Sequence, residues 1–130
     1  MNIILKNILA ILAGIVIGMI VNMALIISGS YLIPISDSMD PMNAKMWEIK
    51  YFIFPFLAHA IGTFSGAFIT AKLSASFHIM LAIFIGIFFL LGGISMVFIL
   101  PAPIWFIVAD LFLAYIPMSW LGWRISNKKY

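Results

Sequence analysis

The chain has 130 residues, 65% of them hydrophobic and 8% charged, and a formal net charge of +3. Soluble domains carry about 45–50% apolar and about 25% charged residues, so this few charges cannot coat a water-soluble surface, and disorder, which needs low hydrophobicity, is excluded too. With a mean hydropathy of +1.23, the chain reads as one all-α integral membrane domain, residues 1–130.

Four apolar stretches approach the roughly 20 residues that a helix needs to cross the hydrocarbon core. The first runs from about residue 8 to 30. Lys6 precedes it as a basic residue would precede a signal peptide, but the apolar run outlasts the usual h-region and no A-x-A site follows, so a retained helix is expected. Residues 32–50 form the one substantial loop, and Asp40-Pro41 inside it reads as an N-cap and first helical residue. A short helix from Pro41, running toward the second span, is expected there.

The second span covers about 51–71 and the third 77–100, joined by residues 72–76. Pro101-Ala102-Pro103 separates the third from the fourth, at 104–123. Leu100 and Ala102 precede prolines and are biased away from helix, while Pro103 suits the first turn of the next one. Pro55 and Pro117 fall inside spans and are expected to kink them. The sum is a four-transmembrane-helix bundle.

Orientation follows from Lys and Arg near the span ends. Lys6, Lys72, Arg124, Lys128 and Lys129 lie on one side; Lys45 and Lys50 lie on the other, with Asp37, Asp40 and Glu48. That asymmetry predicts both termini in the cytoplasm and the 32–50 loop outside. Tyr31, Trp47, Tyr51 and Trp105 then mark the outer interface, and Trp120, Trp123 and Tyr130 the inner one.

Small residues recur every fourth position in the first span (Ala10, Gly14, Gly18, Asn22) and in the second (Ala58, Gly62, Gly66, Thr70). The pairs Gly14–Gly18 and Gly62–Gly66 have GxxxG spacing, which lets helix backbones approach closely in lipid. In antiparallel neighbours Gly18 matches Gly62 in depth, and Gly14 matches Gly66. Leucine at Gly18 or Gly62 is expected to part the helices, and alanine at either to cost much less.

The polar side chains within the spans are Asn22, His59 and Asp110, with Thr63 one turn from His59 on the same face. Each of the three sits in the outer half. Asp110 is the only acid in any span, and an aspartate at a helix centre costs on the order of 3 kcal/mol on insertion scales. It should therefore face the bundle and seek His59. Three readings of the cluster stay open: interhelical glue, a protonatable pair in a cavity open to the outside, and a wet interfacial carboxylate.

Chemistry is otherwise sparse. The absence of cysteine removes disulfides, thiolate metal sites and cysteine nucleophiles. No phosphate loop, HExxH or GxSxG motif occurs, and no basic patch with interleaved aromatics supports a nucleic-acid partner. Met39, Met42 and Met46 offer soft thioethers of the kind that suit Cu(I), but methionine is equally at home in apolar segments lying on a membrane. No metal, cofactor or enzymatic activity is expected; the expected partners are the lipid bilayer and either further copies of the chain or a larger membrane complex.

The stretches FIFPFLAHAIGTFSGA (Phe52–Ala67) and LPAPIWFIVADLFLAYIPMSWLG (Leu100–Gly122) resemble a group of short, uncharacterised four-helix inner-membrane proteins of bacteria. The resemblance spans most of the chain and includes His59, Asp110 and the Pro101–Pro103 turn. It implies a four-helix fold in the bacterial inner membrane and carries no activity. The functional expectation is a non-enzymatic accessory, scaffolding or oligomeric subunit; the alternative is a small proton- or ion-coupled transporter or channel using His59 and Asp110.

Overall fold

The structure is a computed structural model that describes residues 1–130, and it is helical throughout, with no strands. Four stretches are long and apolar enough to cross a membrane: Ile3–Leu32, Ile49–Leu73, His78–Ile99 and Ile104–Ile125.

Helix α1 (Ile3–Leu32) begins earlier than the apolar run suggests, because Asn2 caps it: its Oδ1 accepts from the Ile4 N–H at 2.7 Å. At about 1.5 Å per residue it is about 45 Å long, more than the roughly 30 Å of hydrocarbon, so it tilts or protrudes. In the loop that follows, Asp40 does not start an α-helix. Its Oδ1 accepts from the Met42 N–H at 2.9 Å and closes a turn instead. Two 3-10 turns come next, Ala44–Met46 and Ile49–Phe52, and the second leads directly into α2 (Ile53–Leu73). Ala44 is buried, and its N–H donates to the Pro101 carbonyl at 2.8 Å, pinning the loop to the connection that follows the third span.

Pro55 makes no kink. It falls in the first turn of α2, where its missing N–H would have had no helical partner. Helix α3 (His78–Ile99) follows a turn in which Phe77 adopts the left-handed conformation, with φ of 54°. The α2–α3 turn is held by Asn7 of α1: its Oδ1 accepts from the Ala75 and Ser76 N–H groups at 2.8 and 3.3 Å, and its Nδ2 donates to Ser76 Oγ at 3.0 Å. Lys72 Nζ donates to the Ser126 carbonyl at 3.3 Å, so the end of the bundle near the termini is tied by polar clamps.

The fourth span breaks rather than kinks. It consists of α4 (Ile104–Leu113) and α5 (Ile116–Ile125), interrupted at Ala114–Tyr115. Pro117 has no N–H to donate to the Leu113 carbonyl and its ring crowds that carbonyl; the helix stops and restarts with Pro117 in the first turn of α5.

Packing is inverted relative to a soluble bundle. The buried residues are mostly alanine, glycine, serine and threonine, with Ile85 the largest fully buried side chain, while Phe98, Ile104 and Phe112 lie outside. Helix α1 packs mainly on α2 and meets α3 only sparsely. Gly14 faces Gly66 and Gly18 faces Gly62. A Cβ built on Gly66 would lie 2.6 Å from the Gly14 carbonyl oxygen, and one on Gly62 would lie 2.9 Å from that of Gly18. Thr70 continues the contact by donating its hydroxyl to the Ala10 carbonyl at 3.2 Å.

These distances give alanine a cost of its own. A methyl group here meets backbone, which cannot rotate away, so even the smallest side chain displaces a helix. Gly66→Ala should destabilise the detergent-solubilised protein by about 1–3 kcal/mol, the usual cost of overpacking, and lower its Tm by several degrees. Gly92→Ala, where a Cβ meets nothing within 4 Å, should leave Tm unchanged. Equal behaviour of the two variants would contradict the packing described.

Candidate functional site

Asp110 projects from α4 and is buried, with 5% of its surface exposed. It is the one acidic residue within the four apolar stretches. His59 of α2 meets it: Nδ1 and Oδ1 are 2.8 Å apart. A carboxylate only accepts, so an ionised Asp110 fixes the imidazole proton on Nδ1 and leaves Nε2 facing away from the pair. Tyr115 completes the arrangement by donating its hydroxyl to Asp110 Oδ2 at 3.2 Å. Its ring also stacks on the His59 imidazole, with centroids 5.8 Å apart. No lysine or arginine pairs with the carboxylate.

The helix break makes this geometry possible. In an uninterrupted helix a residue five positions on lies about 140° around the axis and cannot face the same carboxylate. Interruption at Ala114–Tyr115 swings the phenol back toward Asp110. Helix α3 makes room for it at Gly93, where a Cβ would come within 2.7 Å of Tyr115 Cζ.

Two cavities flank the group, both in the half of the bundle nearer the 33–52 loop. A groove of about 580 Å³ opens between α1 and α3 over α2; its polar lining includes Asn22, His59, Thr63, Ser95 and Tyr115. Nearer the loop, a chamber of about 250 Å³ is walled by Trp47, Phe52 and Phe106, with His59 and Asp110 also lining it. His59, Gly93 and Met96 line both. The imidazole therefore stands at the boundary between them.

Of the four cluster residues that the sequence singles out, the structure joins His59 to Asp110 by a hydrogen bond. Asn22 and Thr63 line the groove beside them but make no hydrogen bond to the pair. Tyr115 and Gly93 escape sequence reasoning because their place depends on the break. The available signal was Pro117, two residues beyond a tyrosine and seven beyond the acid. Met42 and Met46 point outward from the loop, 63% and 87% exposed.

No family model, curated protein or solved structure matches this chain. The site's own chemistry is a carboxylate that accepts from an imidazole and a phenol in a multi-pass helical protein, with cavity space beside the group.

Deleting one partner tests the group. Tyr115→Phe removes a single interhelical hydrogen bond and should cost about 0.6 kcal/mol, the average for such bonds. Asp110→Leu strands both donors and should cost about 1–3 kcal/mol. Asp110→Asn should remain near wild type, because the imidazole can switch tautomer and accept from the amide while the phenol donates to its oxygen. Unfolding titrations in mixed micelles read all three, and a loss in Asp110→Asn as large as in Asp110→Leu would contradict the hydrogen-bonding scheme.

Proposed function

We propose that the chain is a non-enzymatic membrane subunit that works within an assembly, of its own copies or of a larger membrane complex, in the bacterial inner membrane. The observation that carries this reading is the groove between α1 and α3. Asn22 of α1 lines it and has no hydrogen-bond partner in the chain. An unmatched amide in hydrocarbon is costly, and interhelical hydrogen bonds to a neighbouring subunit are the usual remedy. The close glycine contact of α1 with α2 supports the same reading, since it makes a rigid support for one wall of the groove. Both termini lie in the cytoplasm in this proposal and residues 32–50 lie outside, on the strength of the Lys and Arg distribution.

A second reading is favoured by one specific feature. His59 stands between two cavities, and the 2.8 Å contact lets a proton pass between its imidazole and Asp110. A proton-coupled transporter would use the pair in that way, and Asp110→Asn would then fold but lose proton-linked flux in liposomes.

Because the native chain lacks cysteine, single substitutions report cleanly. Ser95→Cys, in the groove, should give cross-linked adducts in native membranes with a thiol-reactive bifunctional reagent, and Leu113→Cys, outside it, should not. Ser38→Cys should react with an impermeant maleimide on intact cells, whereas Ser74→Cys should not. A monomer without adducts at position 95 would overturn the assembly, and preferential labelling at position 74 would overturn the orientation.

A further inference from the structure

The chamber beside Asp110 has the chemistry of a ligand site that does not depend on the assembly reading. Three aromatic rings form its walls. Phe52 is only 4% exposed and sits at the centre of the set, with its ring centroid 5.7 Å from Trp47 and 4.6 Å from Phe106. Asp110 and His59 line it as the polar residues. The Ala44 N–H to Pro101 bond of 2.8 Å holds the loop segment that carries Trp47 against the third-to-fourth connection. Aromatic faces attract cations through the ring quadrupole, most strongly when the site is desolvated.

Charge balance sharpens the argument. The carboxylate receives hydrogen bonds from His59 and Tyr115, but no lysine or arginine reaches it. With a neutral imidazole the group carries one uncompensated negative charge inside a span, where charge is costly. Besides a proton on the carboxylate itself, two events compensate it: a proton on His59, or a cation in the chamber. The titratable residues facing the carboxylate are His59 on α2 and Tyr115 at the α4–α5 break; α1, α3 and the Ala44–Trp47 segment contribute none to either cavity lining. Lys45, Glu48 and Lys50 belong to the same loop but are exposed. An inorganic cation would want several oxygen ligands, and no group of three or more His, Cys, Asp or Glu side chains is present. A volume of about 250 Å³ lies just under the usual range for ligand pockets, about 300–1,000 Å³, which suits a compact occupant.

We propose that the chamber binds a small organic cation, a quaternary ammonium or a protonated amine, through Asp110 and the Trp47–Phe52–Phe106 walls, in competition with a proton on His59. The cation enters, the imidazolium Nε2–H proton leaves to solvent, and the net charge of the site is unchanged. No covalent step is involved.

The test is equilibrium dialysis of radiolabelled choline against the full chain in nanodiscs, with the neutral isostere 3,3-dimethyl-1-butanol as competitor. Saturable choline binding is expected, with the isostere at least tenfold weaker. Asp110→Asn should weaken choline at least tenfold, and Trp47→Leu, a change in the loop outside the helices, should weaken it several-fold. In weakly acidic, weakly buffered solution, an indicator dye should report up to one proton released per choline bound; His59→Gln should bind choline without releasing it. Absence of saturable binding, an isostere that competes as well as choline does, or Asp110→Asn with a native circular dichroism spectrum and undiminished binding would each overturn the proposal. If Asp110→Asn fails to fold, undiminished binding by Trp47→Leu overturns it alone.

Discussion

A carboxylate inside a membrane-spanning stretch has to be satisfied by its own protein, and the half of the bundle near the 33–52 loop is arranged around that demand. Asp110 takes one hydrogen bond from α2 through His59 and another from Tyr115 across the helix break. Neither partner is close in sequence in a way that a regular helix would use. The pair fixes how α4 turns toward α2, and the phenol fixes where α3 has to be thin, at Gly93. One buried acid thus sets the rotation of three helices.

The remaining cohesion comes from small residues. In hydrocarbon, large apolar side chains gain little by leaving lipid for protein, so close backbone packing takes over. The α1–α2 contact shows the consequence, with glycine carbonyls and glycine Cα atoms meeting where any Cβ would collide. Helix α1 spends its small residues on α2 and meets α3 only sparsely, and the groove lies between these two helices. A rigid end clamped by Asn7 and Lys72 and an open end holding the polar group are complementary parts of one arrangement, and both functional readings depend on it.

Much of this was legible in the residues. Apolar run lengths mark the four spans, the fourfold spacing of small residues indicates which faces meet, and the isolation of Asp110 among apolar neighbours announces a partner in His59. The missing parts share a physical cause. Proline effects depend on position within a helix, and the α-helical start at Ile53 turns Pro55 from a kink into a first-turn residue. Pro117 acts more strongly than a kink, and only the resulting break brings Tyr115 to the carboxylate. The chamber was illegible for another reason: Trp47, Phe52 and Phe106 come from a loop, a 3-10 turn and a helix, and no local pattern links them. The distance from each glycine to the opposing carbonyl was illegible as well, since sequence reveals spacing alone.

The central claim is that His59 and Asp110 act together to hold α2 and α4 in register. A double-mutant cycle with His59→Leu, Asp110→Leu and the combined variant, followed by unfolding in mixed micelles, measures that coupling directly. The account predicts a favourable interaction energy of at least about 0.6 kcal/mol, the average for a membrane interhelical hydrogen bond, with the double variant less destabilised than the sum of the single ones. Strict additivity of the two substitutions would contradict it.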